Sequence, residues 1–154
     1  MTKAACQLPQ VLVYNPVLKR PYDECVQWRD RVLNRVVADR PDLVVMASND
    51  LDNGGMIDEF GNPVPRPGLT DDPAWVTAWQ QTWAKLTGIP LVLLQDSPWP
   101  LGNAPECAAT NARRVDDKCV RPVQKAIAEP NRRRLIAEAA RSAHLYAPPR
   151  RRTR

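Results

Sequence analysis

The run from Tyr22 to Asp50, YDECVQWRDRVLNRVVADRPDLVVMASND, restricts the fold more tightly than any other part of this sequence. Val26, Leu33 and Val37, with Val32 and Val36 beside them, recur at helical spacing. Arg29, Asp30, Arg31, Asn34, Arg35 and Asp39 fill most other positions, which predicts an amphipathic helix with one core-facing stripe. Asp23 suits the N-cap, where a carboxylate accepts from free backbone amides. Arg40 precedes Pro41, whose ring disfavours helical geometry in the residue before it, so the helix should stop near Arg40. Leu43 to Ala47 is apolar at every position and predicts a strand buried on both faces, as in a parallel sheet. Ligands in such sheets gather beyond the carboxyl ends of strands, which makes Ser48, Asn49 and Asp50 candidate site residues.

A second helix and strand follow. Asp72 suits an N-cap, Pro73 the first helical position, and Gly88 the left-handed geometry that closes the far end. Trp75, Trp79, Trp83 and Leu86 form the inner stripe. It is read as core rather than as a glycan platform, because a chain with one Phe has few other large side chains to fill an interior. Leu91 to Leu94 is a second apolar strand, ending in Gln95, Asp96 and Ser97. Strand, helix and strand make a right-handed βαβ unit, which brings Ser48, Asn49 and Asp50 to the same sheet edge as Asp96 and Ser97. Asp50 and Asp96 also have a plainer role open to them, capping the turns after their strands.

Around this unit the pattern is weaker. Val11 to Tyr14 offers a short strand. Asp52 to Gly55 and Gly61 to Gly68 are rich in turn residues and form either a binding loop or a plain connection. Pro98 to Pro122 reads as loop. A last helix begins at Pro130 or Asn131, with Leu135, Ile136, Ala139, Ala140 and Ala143 inward and Arg132, Arg133, Glu138 and Arg141 outward. Residues 1–143 make the α/β domain, and 144–154 read as a disordered Arg/Pro-rich tail.

Four of the five net positive charges belong to Arg150, Arg151, Arg152 and Arg154, so the body is nearly neutral and carries no footprint for a specific nucleic acid. No run approaches the ~18 apolar residues of a membrane span. The start, MTKAACQLPQ, lacks the apolar stretch of a secretory signal, so the chain reads as soluble and cytoplasmic. The cysteines pull the other way. Cys6 and Cys25 flank one Pro-containing loop, Cys107 and Cys119 flank another, and there is no C-x-x-C pair of the kind zinc sites use. The spacing favours two disulfides, Cys6–Cys25 and Cys107–Cys119, over four free thiols.

Nucleophilic catalysis needs an activated side chain, a base and an orienting group. The only serines are Ser48, Ser97 and Ser142, none within Gly-x-Ser-x-Gly, and the only histidine, His144, lies where the helical pattern stops. One reading remains open for a hydrolase, with Ser48 or Ser97 served by Asp96 and His144. No phosphate-cradling glycine loop, nucleotide fingerprint or metal-ligand cluster is present, and no cofactor is implied.

Taken together, Cys25-x-x-Trp28-Arg29-x-x-Val32-Leu33, Arg40-Pro41-Asp42-Leu43-Val44-Val45, Leu93-Leu94-x-Asp96-Ser97-Pro98-Trp99-Pro100 and Pro105-x-Cys107 with Cys119 resemble the middle of an SGNH (GDSL-like) domain. The type is the one fused to bacterial membrane-bound acyltransferases that O-acylate cell-surface polysaccharides and glycolipids, and the likeness covers roughly Ala4 to Ala143. The resemblance implies a three-layer α/β/α sandwich with a mainly parallel sheet, outside the cytoplasm, with disulfides. It also implies a glycan acceptor and, in the intact relative, a membrane acyltransferase domain. SGNH enzymes carry their nucleophile in Gly-Asp-Ser on the first strand and their base in Asp-x-x-His near the end, and these 154 residues contain neither motif. A third block supplies an oxyanion-holding Asn, whose counterpart here is Asn49, a position equally open to the plain role of a turn residue after its strand. The expectation is a catalytically incomplete domain, lacking both catalytic ends, whose sheet edge promotes self-association if exposed. The alternative is a non-enzymatic module that binds a glycan or a protein through the Gly61 to Gly68 loop and exposed Trp residues.

Overall fold

The computed structural model describes residues 3, 6–48, 55–57, 60–63, 72–98, 102–127 and 130–143. Asn49, Asp50, the Val64 to Gly68 part of the proline-rich loop, His144 and the tail lie outside them.

The architecture is mixed α/β, with six helices and two small sheets among the described residues. β1 (Tyr14–Asn15) and β2 (Arg20–Pro21) form an antiparallel hairpin, and α1 (Asp23–Asp39) follows. β3 (Val44–Ala47), α2 (Asp72–Ala84) and β4 (Leu91–Leu94) make the parallel unit, in which Val44 pairs with Leu91 and Ala47 with Leu94. Three short helices come next, α3 (Ala104–Thr110), α4 (Val115–Lys118) and α5 (Val123–Ala126), and α6 (Pro130–Ser142) packs on α2. A bridge between Val13 and Met56 ties the loop after β3 back to the start of the hairpin, and another joins Ile57 to Pro63 within that loop.

The core follows the tryptophan stripe. Trp75, Trp79, Trp83 and Leu86 are buried together with Leu33 of α1, Met46, Leu91 and Leu93 of the sheet, and Ile136 and Ala140 of α6. Trp79 and Trp83 stack with ring centroids 5.8 Å apart. Each such ring removes roughly 150–250 Å² from water. Gly88 adopts φ 85°, the left-handed turn expected after α2, and Arg40 takes φ 45° at the end of α1.

Several expectations need correction. The N-cap of α1 is Tyr22, which makes no side-chain capping bond, so Asp23 is already the first helical residue. Its buried face is Cys25, Arg29 and Leu33, while Val37 is exposed. The apolar count misplaced the face because Arg29 points inward, for reasons given below. β3 is not covered on both sides: Met46 is buried, whereas Leu43 and Val45 are 51% and 55% exposed. Alternation decides this, since Val44 and Met46 share the core face and Leu43, Val45 and Ala47 the open one. Residues 104–110 and 115–118 are helical rather than loop; the Asn103 side chain accepts from the Glu106 amide, a cap that starts α3. On α6, Arg132 is buried and Ala143 exposed, because Arg132 turns in to meet Asp72.

Candidate functional site

Both expected disulfides are present, Cys6–Cys25 and Cys107–Cys119, with no free cysteine among the described residues. The first fastens the N-terminal segment 6–11 to α1. That segment then lies against α1 and α2 with its carbonyls turned toward polar side chains. Arg29 Nη1 donates to the carbonyls of Gln7 (3.1 Å), Pro9 (2.6 Å) and Val11 (3.1 Å). The Gln10 amide donates to Ala78 O (3.0 Å), and the Thr82 hydroxyl donates to Ala78 O at 2.9 Å and Leu8 O at 3.2 Å. Backbone carbonyls that run between two helices need donors, and Arg29 and Thr82 supply them. Burial pushes the Arg29 pKa below its ordinary value, and nearby Asp30 opposes that shift.

This segment delivers Gln7 to the carboxyl end of β3. Gln7 is buried, and its side-chain carbonyl accepts a hydrogen bond from the Ser48 hydroxyl at 2.8 Å. Next to it, at the end of β4, the Gln95 side chain accepts from Arg133 at 3.4 Å. Ser48, Gln95 and Arg133 border a crevice with Trp79, Leu94 and Ile136, but the space is about 10 Å³, barely room for one water. Asp96 is partly buried and Ser97 exposed beyond it. The structure thus brings Ser48 and Gln95 to one edge as the parallel crossover requires, with Asp96 and Ser97 just past it.

In this geometry the Ser48 hydroxyl is bonded to a carboxamide, and His144, the base of the hydrolase reading, lies outside the described residues. A serine attacks when a histidine or similar base takes its proton, whereas the Ser48 proton is held by a carboxamide that does not titrate near neutral pH. No cluster of His, Cys, Asp and Glu that could hold a metal occurs among the described residues. Sequence reasoning missed Gln7 and Arg29. Gln7 gave no signal. For Arg29 a signal existed in its spacing, four residues after Cys25 and four before Leu33, which places it on their face.

A second polar centre joins α2 to α6. Asp72 accepts from Arg132 at 3.0 Å and from Asn131 at 2.7 Å, and both members of the ion pair are buried. The Arg132 guanidinium lies 4.6 Å from the centroid of the Trp75 ring, a cation–π contact. The buried bonds from Asn131 and Arg132 to Asp72 tie α6 to α2, so this centre fastens the fold. The α2 tryptophans are core, as expected, and offer no glycan platform.

A further opening lies beside β3. It is a groove of about 420 Å³ between Trp28, Val32 and Val36 of α1 and the edge residues Val44 to Ala47. Its walls are almost wholly apolar, with Lys3 at one lip.

Comparison with protein-family models, with curated proteins and with solved structures returned no match.

Proposed function

We propose that this chain is a catalytically incomplete SGNH-type domain, the central piece of a three-layer α/β/α scaffold related to O-acyltransferases and acetylesterases of cell-surface polysaccharide or glycolipid. The observation that supports the incomplete part is the hydrogen bond from Ser48 to Gln7, by which the serine at the β3 end donates to a carboxamide and, among the described residues, to no titratable base. The parallel β3–α2–β4 unit with polar strand ends supports the scaffold part. In this reading Asn49 is the oxyanion donor, and Ser48, Asp50, Asp96 and Ser97 line the acceptor side. A Gly-Asp-Ser strand and an Asp-x-x-His segment have to be supplied from elsewhere. The two disulfides fit an oxidising compartment, and no helix among the described residues is long and apolar enough to cross a membrane. The partners would be a glycan and a membrane acyltransferase domain.

The test has two steps. The chain alone is assayed for hydrolysis of an aryl acetate and for acetyl transfer to a sugar; no turnover above buffer is expected, and turnover abolished by Ser48→Ala would refute the incomplete reading. Strands carrying Gly-Asp-Ser and Asp-x-x-His are then grafted onto the two ends. The graft should gain esterase activity that falls about 10²–10³-fold on Asn49→Ala, the usual effect of removing one oxyanion donor. A folded graft with no activity, or one indifferent to Asn49, would count against the family assignment.

A further inference from the structure

We propose that β3 is a self-association edge, through which two copies of this chain pair antiparallel about a two-fold axis to make a four-stranded sheet in the order β4-β3-β3-β4. The inference stands on the open edge and does not depend on the functional reading above.

Backbone direction comes first. Val44 donates its N–H to Pro90 O at 2.9 Å, toward β4. Successive residues of a strand present their N–H and C=O groups to alternate sides, so Val45 and Ala47 direct theirs away from β4. Among the described residues no strand pairs with that side. Unpaired edges of this kind are templates for another strand, and natural edges are guarded by Lys, Pro, bulges or covering elements. The β1–β2 hairpin has such guards in Lys19, Arg20 and Pro21. Leu43 to Ala47 has none: it contains no charge and no proline, and Leu43, Val45 and Ala47 are exposed.

The side chains then select the occupant. Strand pairing itself is indifferent to sequence, so the flanking surface decides what binds, and here it is the apolar wall of Trp28, Val32 and Val36, with Lys3 at one lip. A second copy matches it position by position. In the register that uses every outward-facing group, Val45 opposes Val45 of the other copy, Leu43 opposes Ala47, Val44 opposes Met46, and Asp42 opposes Ser48, so no like charges meet. A two-fold axis demands an antiparallel pair, and this segment is self-complementary as one. The same axis sets the two α1 helices side by side, each covering the other's groove. A strand edge of five residues with one helix flank is small beside the ~800 Å² per partner of a standard interface, which points to micromolar affinity.

The experiment follows the wild-type chain, disulfides intact, by sedimentation equilibrium and by amide exchange over a hundredfold range of concentration. A monomer–dimer equilibrium is expected, with exchange at Val45 and Ala47 slowing at least tenfold as dimer forms while Val44 and Met46 stay unchanged. Val45→Lys and Val45→Pro should each abolish the dimer; the proline removes an N–H that β4 does not use, and circular dichroism checks that the fold is retained. Leu94→Lys, on the same open face but on β4, away from the β3 edge, should leave it intact. A monomer at every concentration overturns the proposal. So does a dimer that survives folded Val45 variants, or one equally sensitive to Leu94→Lys, since that would be packing of faces rather than edges.

Discussion

Replacing Arg29 by Met tests whether the buried guanidinium is what holds the N-terminal segment in place. Two effects compete. Methionine removes a charge that has no carboxylate within 4 Å among the described residues, and relief of that burial favours the variant. Against this, the carbonyls of Gln7, Pro9 and Val11 lose their donor. Nη1 carries two hydrogens, so the three contacts amount to about two full charge-assisted bonds, at roughly 1.5–3 kcal/mol each. Stranded buried carbonyls also cost about 1–3 kcal/mol apiece. The losses win, and the net destabilisation should be about 2–4 kcal/mol after the relief is subtracted. With a urea slope of about 1–3 kcal/mol per molar, the midpoint should fall by about 1–2 M. Arg29→Lys keeps the charge but not the fork and should lie between. Burial lowers the folded pKa of Arg29, so any gain of stability with pH comes only as pH rises through the folded value toward the ordinary arginine value. A midpoint within about 0.3 M of wild type, with unchanged slope, would refute the assignment of these bonds as a structural clamp.

Four further outcomes follow. Asp72→Asn leaves the Arg132 charge buried with a neutral partner and should cost about 3–5 kcal/mol in urea unfolding, whereas a surface pair such as Arg35–Asp39 should contribute under about 1 kcal/mol. Replacing Cys6 and Cys25 by Ala should lower the global unfolding free energy by about 3 kcal/mol, and replacing Cys107 and Cys119 should instead speed amide exchange in α3 and α4, which bury no residue, with little change in the global midpoint. Iodide should quench Trp75, Trp79 and Trp83 poorly, shown by single-Trp variants, since all three are at most 6% exposed. Arg20, mainly by hydrogen bonding, holds the Glu24 carboxyl below 4.5; the small stability it adds is present above that pH and is lost as pH falls through the folded value, and an NMR titration of Glu24 should read a pKa below 4.5.

The parts of this fold that were legible in the sequence are those where a single periodicity settles the matter. Trp75, Trp79 and Trp83 four apart, bounded by Pro73 and Gly88, fixed α2 and its inner face. Arg40 before Pro41 fixed the end of α1. The two runs of aliphatics fixed β3, β4 and the parallel crossover that brings Ser48 and Gln95 to one edge. What periodicity could not read was direction when polarity and burial part company. Arg29 and Arg132 were assigned outward because charge usually faces water, yet each is buried where it meets stranded acceptors: backbone carbonyls in one case, Asp72 in the other. The same limit hid the open face of β3. Leu43, Val45 and Ala47 are as apolar as a central strand requires, and only what packs over that face distinguishes a covered strand from an open one.

The N-terminal segment links these observations into one mechanical unit. Cys6 is bonded to Cys25, Arg29 holds the next carbonyls one helical turn further along α1, and Gln7 between them reaches the hydroxyl of Ser48. Gln7, the residue next to the disulfide, thus reaches the candidate site directly. Without the disulfide, Arg29 and the Gln10 and Thr82 bonds still anchor residues 7–11, but Gln7 loses the neighbour that fixes its start. Loss of both anchors should cost more than the sum of the separate losses, because either one alone keeps the segment against the helices. A cycle of Arg29→Met with Cys6→Ala and Cys25→Ala measures that excess directly. If the energies are additive within about 0.5 kcal/mol, the two anchors act on independent stretches of chain and the segment is not one unit.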